Sequence, residues 1–358
     1  MTQTTRKESA VSLPTQPGST DLLLPIGERG DGTNPYTVHT YYFGFTIPGA
    51  GIGAYLYFRA QPAFGLCQGG PVIFRGMDNT ELLSAEYHDY RATMPWPTIA
   101  GTTLTTDGGY VIDWSEPGRL ARLRYRSPDG AVSFDMEQRA ITPLIARGHI
   151  VPGEDDHHSG AGRQSGGSEQ FMHVTGELNL RGERLDIDCL HVRDRSWNQV
   201  RTEEPGGARP HPPLGWTPVC FGEDLALQTT SIEPEDTDPA WKGLYTLDDG
   251  AEPFFNSWVV RNGEPRKLVS VRRTVHRYHP VLHSAVEQEL EAVDETGERY
   301  HLHGEALAQT PMHSWPNIAF RDSVYRWTDL LDSARRVTYC TYQEIFYDAY
   351  FRGPRHVR

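Results

Sequence analysis

The sequence predicts an all-β protein made of two consecutive antiparallel domains. Short runs of aromatic and β-branched residues alternate with turns rich in Gly, Pro and Asp, a pattern typical of strands joined by hairpins. The segments between these runs lack a helical period. A length of 358 residues corresponds to about two domains of roughly 150 residues each. Strands at this spacing favour sandwiches or barrels.

The first domain is predicted over residues 21–204. Residues 1–20 precede it and are rich in Thr, Ser, Gln and Pro, which predicts a disordered tail. Turn signals such as Pro128-Asp129-Gly130 separate the runs that follow. Strands are therefore predicted at Thr37–Ile47, Ile52–Ala60, Pro71–Arg75, Tyr110–Trp114, Leu120–Arg126 and Ala131–Gln138.

A predicted hairpin ends the first domain. Two alternating runs, Phe171–Leu180 and Arg184–Val192, flank a turn at Arg181-Gly182-Glu183. The window 152–168 before the hairpin is rich in Gly and Ser, which predicts a flexible loop, either a lid or a mobile insertion. The second run leads at its end into a dense polar cluster, residues 191–197.

The second domain is predicted over residues 214–358, after a Pro- and Gly-rich linker at 205–213. Asn262-Gly263 between alternating runs is a strong hairpin signal. Strands are predicted at Gly215–Phe221, Leu225–Ile232, Trp241–Thr246, Phe254–Arg261, Lys267–His276, His283–Val293, Tyr300–Ala306, Ile318–Leu330 and Arg335–Phe351.

Composition excludes several classes of partner. The net charge is −13, from 34 Lys plus Arg against 47 Asp plus Glu, and no long basic run occurs, so we expect no nucleic-acid or anionic-membrane binding. No apolar stretch approaches the roughly 20 residues of a membrane span. The four cysteines are widely separated, which predicts buried free thiols and a cytoplasmic protein. The sequence does not indicate an oligomeric state.

The polar cluster His191–Trp197 is the best candidate for chemistry. It carries one carboxylate, two guanidinium groups, an imidazole and an indole within seven residues. Charges next to a core must be paired, and paired charges at a strand end can shift the pKa of a carboxyl group.

These residues also carry a resemblance. The segment Asn34-Pro35-Tyr36 to Phe45, the strand Ile52–Arg59, and above all the stretch from Glu169-Gln170 to Arg193-Asp194-Arg195-Ser196-Trp197 resemble the two-domain lipocalin-like superfamily. That superfamily includes the hydroxyneurosporene synthase (carotenoid hydratase) family, the AttH-like proteins and the fungal lipocalin-like Diels-Alderases. Asn198 stands where the relatives' motif usually has glycine.

The resemblance implies two consecutive calycin-type barrels with a pocket for a hydrophobic ligand. Its hydratase members imply acid-initiated addition to an isoprenoid double bond, with no cofactor. A shared fold does not fix the reaction of this chain.

Asp194 is the predicted general acid, because a carboxyl walled by Trp197 and other aromatics has its pKa raised by desolvation. Arg193 and Arg195 act in the other direction. The alternative is therefore that Asp194 pairs with one of them and fixes the strand to the second domain.

Three further residues are candidates for the same chemistry. His191 lies an odd number of residues from Asp194, so only a bulge near Val192 would bring the two side chains to one face. Glu169 and His173, on the preceding strand, are alternates, and each is otherwise explained as a solvated or cross-strand polar residue.

Substrate contacts are predicted for Trp197, Arg195, His173, Tyr325 and Trp327, because aromatic walls with polar tips suit a small-molecule pocket. Core packing is the simpler explanation of the aromatic members. A secondary group late in the chain comprises Trp315, Asp322, Tyr325, Trp327 and Glu344, and on a regular strand Asp322 would face away from Tyr325.

Other chemistries lack their signals. Asp155-Asp156-His157-His158 and His301-x-His303 contain ligand-type residues, but no further ligand has a matching spacing, so no metal is predicted. The chain also lacks a Gly-x-Gly-x-x-Gly dinucleotide motif and a Gly-x-Ser-x-Gly elbow.

The sequence therefore favours a cofactor-independent enzyme acting on a hydrophobic unsaturated molecule of the terpenoid, polyketide or steroid class. The expected reaction is hydration, dehydration, isomerisation or cyclisation at a C=C bond. Two alternatives stay open: a non-catalytic binding protein for such a ligand, and a Diels-Alder-type cyclase that works by orienting its substrate.

Overall fold

In a computed structural model, the chain forms two antiparallel β-sheets. The structure describes residues 26, 29–30, 35–146, 166–200, 214–233, 252–315 and 318–347. The predicted tail 1–20, the linker 205–213, the strand at 241–246 and most of the loop 152–168 lie outside the described residues. Among the described residues, no helix is long and apolar enough to cross a membrane.

The first sheet is a curved, open sheet. Its strand order is β4-β3-β2-β1-β13-β12-β10-β9-β8-β7-β6, with β5 on β3 and β11 on β12, so β1, β13 and β12 lie at its centre. Its strands are β1 (Thr37–Ile47), β2 (Ile52–Gln61), β3 (Leu66–Arg75), β4 (Tyr87–His88), β5 (Arg91–Pro95), β6 (Thr98–Ala100), β7 (Thr103–Thr105), β8 (Val111–Glu116), β9 (Leu120–Arg126), β10 (Val132–Ala140), β11 (Ile145–Ala146), β12 (Gly166–Leu180) and β13 (Glu183–Val200).

The second sheet closes on itself as an eight-stranded barrel, which we call the second barrel. The first and last strands pair, with Leu214 opposite Ile345 and Trp216 opposite Gln343. Its strands are β14 (Leu214–Gly222), β15 (Leu225–Ile232), β16 (Phe254–Arg261), β17 (Glu264–Tyr278), β18 (Ala285–Asp294), β19 (Arg299–Trp315), β20 (Ile318–Asp329) and β21 (Val337–Tyr347).

Strand alternation builds the inner core of the first sheet. In β9, Ala121, Leu123 and Tyr125 are buried while the residues between them are exposed. The opposing β10 buries Phe134 and Met136 on the same face. Because successive residues of a strand leave opposite faces, these runs direct one apolar face inward and a polar face outward.

Part of the outer face of the first sheet packs on the second barrel. Tyr42, Tyr55 and Phe171 share one apolar cluster with Trp216 and Trp258. Gly53 lies at a close contact with the second barrel, because a Cβ there would lie 2.6 Å from Cγ2 of Val324 and 2.5 Å from the ring of Phe74. Only a residue without a side chain fits at this contact.

The fold confirms the all-β prediction with two antiparallel domains. The first sheet differs from a complete barrel, because its described strands do not close. The strand after the hairpin turn also differs: it was predicted to end at Val192, but β13 continues to Val200 because β1 and β12 both supply ladder partners. The polar cluster 191–197 therefore lies inside a central strand and not at a strand end.

Candidate active site between the two sheets

A row of polar side chains crosses the three central strands of the first sheet. In the strand register, Asp194 of β13 is opposite Tyr42 of β1 on one side and Glu169 of β12 on the other. Directly opposite residues share a face, and Tyr42 and Glu169 both contact the second barrel. We call Tyr42, Asp194 and Glu169 the outer row.

Glu169 is buried and accepts hydrogen bonds from three donors of the second barrel. The indole Nε1 of Trp216 donates to Oε1 at 3.1 Å, and that of Trp258 donates to Oε2 at 3.1 Å. Nδ2 of Asn256 donates to Oε1 at 3.2 Å. A carboxylate of one domain is therefore held by donors of the other, which fixes how the two domains dock.

Asp322 is the corresponding buried carboxyl of the second barrel. It accepts hydrogen bonds from Thr341 Oγ1 at 2.7 Å, Gln343 Nε2 at 3.2 Å and the Tyr42 hydroxyl at 3.2 Å. Burial raises the pKa of Asp322 to about 7, although these hydrogen bonds oppose the shift. Burial and the neighbouring Asp322 raise the pKa of Tyr42, so its phenol stays protonated and donates.

Aromatic rings fill the space around the two carboxyl groups. The Tyr42 ring meets the Trp216 ring edge-on at 5.7 Å and lies 5.3 Å from the ring of Tyr55. Trp216 thus touches Tyr42, the partner of Asp322, and also donates to Glu169. We call the outer row together with these partners the interdomain cluster: Tyr42, Glu169, Asp194, Trp216, Asn256, Trp258, Asp322, Thr341 and Gln343.

The arrangement can supply a proton in a dry environment. A carboxyl group with a pKa near 7 is partly protonated at neutral pH, whereas an ordinary Asp is not. Two other carboxyl groups, those of Asp194 and Glu169, stand on the facing sheet. A buried carboxyl group with a raised pKa, such as that of Asp322, is typical of functional sites.

Sequence comparison assigns the chain to a family. The model of a family described as "Domain of unknown function (DUF7064)" matches residues 31–339. The chain belongs to this family. Among curated proteins, none matches the sequence.

Three solved structures are similar to this DUF7064 protein. CghA has a TM-score of 0.51 at 11% identity, over 87% of this chain and 88% of CghA. Kievitone hydratase from Nectria haematococca has a TM-score of 0.48 at 15% identity, over 93% and 96%. A Nitrosomonas europaea protein designated AttH has a TM-score of 0.47 at 14% identity, over 87% and 92%. The likeness to CghA is one of fold alone, and it agrees with the fold that the sequence resemblance implies.

In the DUF7064 protein, the predicted residues Asp194 and Glu169 come together in the outer row. Asp194 is partly exposed, and strand alternation directs it to the face opposite to Arg193 and Arg195. The Arg195 guanidinium lies over the Trp197 ring, 4.9 Å from its centroid. The catalytic roles of Asp194 and Glu169 stay predictions.

In the β12–β13 register, His191 is opposite Met172 and does not belong to the outer row. The β12–β13 ladder has no shift, so the bulge near Val192 that would bring His191 to the side of Asp194 is absent from it. The buried ring lies 5.8 Å from the Tyr42 ring and fills the space beside Gly44. Its Nδ1–H donates to the Val192 carbonyl oxygen at 2.7 Å, and burial lowers its pKa to about 4. A neutral imidazole with an unprotonated Nε2 results.

His173 and the two predicted aromatics lie elsewhere. His173 is exposed and pairs with Asp188 at 2.7 Å on the surface of the first sheet. Tyr325 and Trp327 are fully buried and stack at 5.3 Å among the apolar residues of the second barrel. As the strand parity predicts, Asp322 leaves the other face of β20. The structure does not bring these three predicted contacts to the interdomain cluster.

Sequence reasoning missed the donors that hold the carboxyl groups: Tyr42, Trp216, Asn256, Trp258, Thr341 and Gln343. It placed Asp322 only in a secondary group. A local signal existed for Asp322 alone, since an acid alternating with core residues in a strand is buried or paired on the other face.

The predicted absence of a metal site concerned two histidine motifs. His301 and His303 lie on the outside of the second barrel, 3.2 Å from Glu289 and 3.4 Å from Glu287 respectively. In the part of the chain that the structure describes, no group of three or more His, Cys, Asp or Glu could hold a metal ion. The motif at 155–158 lies outside that part.

Proposed function

We propose that the chain is a cofactor-independent enzyme that protonates a C=C bond of a hydrophobic small molecule, with Asp322 as the proton donor. The observation that supports this is the Asp322 carboxyl group, buried between the two sheets with its pKa raised to about 7. Desolvation keeps the Asp322 carboxyl group partly protonated at neutral pH, so it has a proton to donate, whereas an ordinary aspartate has already lost its proton.

The first step forms a C–H bond and leaves a carbocation. The alkene π pair takes the proton from Asp322, and the carboxylate that results keeps its hydrogen bonds from Tyr42, Thr341 and Gln343. These donors are already in place, so the new negative charge needs little reorganisation. In this proposal the indole of Trp216, whose ring contacts that of Tyr42, stabilises the cation.

The second step decides the product. Addition of water to the cation, with loss of the water proton to Asp194, gives the hydrated alcohol. Loss of a neighbouring C–H proton to the same carboxylate gives an isomerised alkene. Asp194 takes this base role because it is partly exposed, whereas Glu169 is enclosed by three donors.

The aromatic surroundings favour a hydrophobic substrate of the terpenoid, polyketide or steroid class. Tyr42, Trp216 and Asp322 are all buried, so substrate entry requires the second barrel or these rings to move away from the first sheet. Such closure around a substrate also excludes water from the cation.

The test is to incubate the purified protein with a panel of lipophilic alkenes in deuterium oxide and to follow product mass. We expect deuterium incorporation by the wild type and a loss of about 10²- to 10⁴-fold in Asp322→Asn, the usual contribution of a general acid. The wild-type rate should fall as the pH rises through about 7, because the donor loses its proton there. Asp135→Asn, on the exposed surface of the first sheet, is the matched control.

Three outcomes would replace the proposal. Full activity of Asp322→Asn with loss in Asp194→Asn would move the proton donor to Asp194. Turnover without deuterium incorporation would favour a cyclase that only orients its substrate. Saturable binding with no product from any alkene would favour a binding protein.

A further inference from the structure

The contacts of Asp322 differ between its two carboxyl oxygens. Oδ1 lies 2.7 Å from the Thr341 hydroxyl oxygen. Oδ2 lies 3.2 Å from the Tyr42 hydroxyl oxygen and 3.2 Å from Nε2 of Gln343. The backbone N–H of Ser323 is a further donor to the carboxyl group. The two oxygens have different partners, so they are different places for a proton.

The two hydroxyl groups around Asp322 also contact each other. Oη of Tyr42 and Oγ1 of Thr341 are 3.1 Å apart, and either can be the donor. Together with the two hydroxyl contacts to Asp322, this contact completes a closed ring of three hydrogen bonds. Each hydroxyl carries one hydrogen, so the third bond needs a hydrogen that only the acid form of Asp322 has. The geometry of the ring therefore fits the protonated carboxyl group.

Two observations set the direction of the ring. Nε2 of Gln343 can only donate, and Oδ2 accepts from it and from Tyr42, as a carbonyl oxygen does. The contact between Oδ1 and Thr341, at 2.7 Å, has the ordinary length of an O–H···O hydrogen bond. In the acid form, Oδ1 therefore carries the proton and donates to Thr341, Thr341 donates to Tyr42, and Tyr42 donates to Oδ2.

We propose that Asp322, Thr341 and Tyr42 form this closed ring in the resting protein, with the proton on Oδ1, and that Thr341 is a positioning residue for that proton. When the proton leaves for the alkene, the electron pair of the O–H bond stays on Oδ1. The Thr341 hydroxyl then turns from Tyr42 to Oδ1 and donates to the new carboxylate, while Tyr42 keeps its bond to Oδ2. One hydroxyl rotation fits the site to both protonation states, without movement of a strand.

The charged groups around the ring favour the acid form. Asp194 and Glu169 of the outer row face the second barrel from the first sheet, and like charges on that side disfavour a further carboxylate. Arg321 and Glu344 are opposite each other in β20 and β21 and leave the other face of these strands. The imidazole of His191 is neutral, since burial lowers its pKa to about 4.

Infrared spectroscopy can locate the proton on the full chain without substrate. The difference between wild type and Asp322→Asn at about pH 5 isolates the C=O stretch of the protonated carboxyl group. Gln343→Met should raise the frequency of this band, because the carbonyl oxygen Oδ2 loses a donor. Thr341→Ser should leave the band unchanged, because the hydroxyl is kept. A band that Gln343→Met does not move would place the proton on Oδ2 and overturn the proposal.

Stability at about pH 5, where Asp322 is protonated, tests whether the ring is closed. In wild type, Tyr42→Phe removes the bonds to both Thr341 and Asp322, whereas in Thr341→Val one of these is already lost. The increase in the unfolding constant caused by Tyr42→Phe should therefore be about 5-fold smaller in Thr341→Val than in wild type. Thr341→Ser keeps the hydroxyl and should preserve the wild-type increase. Equal increases in wild type and Thr341→Val would disprove the closed ring.

Tyr41→Phe is the matched control for Tyr42→Phe. Arg195 of β13 is opposite Tyr41 of β1 and Ser168 of β12, and we call Tyr41, Arg195 and Ser168 the inner row. The inner row leaves the opposite face of the sheet from the outer row. The increase caused by Tyr41→Phe should therefore be the same, to within about 2-fold, in wild type and in Thr341→Val.

The use of this proton in catalysis rests on the proposed function, but its location does not, so the two can fail separately. If the spectra and the stabilities agree with the ring and no alkene reacts, the proposed function fails and the ring stands. If Asp322→Asn abolishes deuterium incorporation while Tyr42→Phe has equal effects in wild type and Thr341→Val, the proposed function stands and the ring fails.

Discussion

The outer and inner rows occupy the same three strands and differ by one residue at each position. The outer row is Tyr42, Asp194 and Glu169, and the inner row is Tyr41, Arg195 and Ser168. One face is acidic and meets the second barrel, whereas the other carries the Arg195 guanidinium against the rings of Tyr41 and Trp197. The period-2 geometry of a strand separates opposite charges that are neighbours in sequence.

The two rows also differ in what holds them. Glu169 is held by side chains of the second barrel, and Tyr42 bonds to Asp322 there. The Arg195 guanidinium of the inner row lies against the rings of Tyr41 and Trp197, which both belong to the first sheet. The outer row should therefore couple the stability of the two domains, while the inner row should affect only the first.

The largest effect should come from Glu169→Ala. It leaves three buried donors without their acceptor, at about 1–3 kcal/mol each, so the free energy of unfolding should fall by about 5 kcal/mol. Because those donors belong to the second barrel, urea unfolding followed by tryptophan fluorescence should show the two domains unfolding in separate transitions.

Ser168→Ala, next to Glu169 but on the inner face, is the matched control and should cost roughly 1 kcal/mol with one transition. Glu169→Gln keeps one acceptor oxygen and should fall between the two. Equal losses for Glu169→Ala and Ser168→Ala would remove the distinction between the rows.

The pH dependence of stability should reveal the raised pKa of Asp322. The folded pKa of about 7 lies above the ordinary value of 3.8, so below about pH 4 the carboxyl is protonated in both states and burial has no charge cost. As the pH rises, the unfolded chain ionises first, and stability is lost until the pH passes about 7. The loss is about 4 kcal/mol at roughly 1.4 kcal/mol per pKa unit.

The Asp322→Asn variant has no ionisable group at this position, so the loss of stability between about pH 4 and 7 should disappear. Chemical denaturation at pH values from 4 to 9 measures it, and subtracting the variant curve from the wild-type curve removes the contributions of other groups. His191, whose burial lowers its pKa to about 4, acts in the opposite sense: its contribution is present above about pH 6.5 and is lost as the pH falls through 4. A difference curve that is flat between pH 4 and 7 would contradict a raised pKa for Asp322.

The strands of this molecule can be predicted from the local alternation of apolar and polar residues in the sequence. Thr37–Ile47, Leu120–Arg126, Leu225–Ile232 and Phe254–Arg261 match the observed strands to the residue, because turns bound each run closely. The two-residue β4 and the three-residue β6 and β7 were missed, since segments so short show no period.

The interdomain cluster depends instead on contacts that have no local signal. Tyr42 and Asp322 are 280 residues apart in sequence, and Trp258 is 89 residues from Glu169. The sequence predicted two members of the outer row, Asp194 and Glu169, which are close in sequence. It did not predict the hydrogen-bond donors around the carboxyl groups, because a strand pattern shows which face a residue takes but not which domain covers that face.

A smaller effect should follow from filling the contact at Gly53. A methyl group there meets Cγ2 of Val324 and the ring of Phe74, so Gly53→Ala should cost about 1–3 kcal/mol through overpacking. Gly49→Ala, in the neighbouring turn, has no atom within 4 Å of the added Cβ and should change stability by less than about 0.5 kcal/mol. Equal stability of the two variants would mean that the outer face is not tightly packed on the second barrel.

The smallest effect is expected for Tyr42→Phe, which can be compared with the same change at Tyr41 in the inner row. It removes the hydroxyl that donates to Asp322, at a cost of about 1 kcal/mol, and keeps the ring against Trp216. The hydrogen bond from Tyr42 lowers the pKa of Asp322, so its loss should raise that pKa further and move the fall in stability to higher pH. Tyr41→Phe makes the same change on the inner row and should leave the midpoint of that fall where it is.

If the enzymatic proposal holds, the rate profile of Tyr42→Phe should shift to higher pH together with the stability curve, because one proton governs both. A shift in the stability curve without a shift in the rate would leave Asp322 as a titrating group and assign the donated proton to another residue.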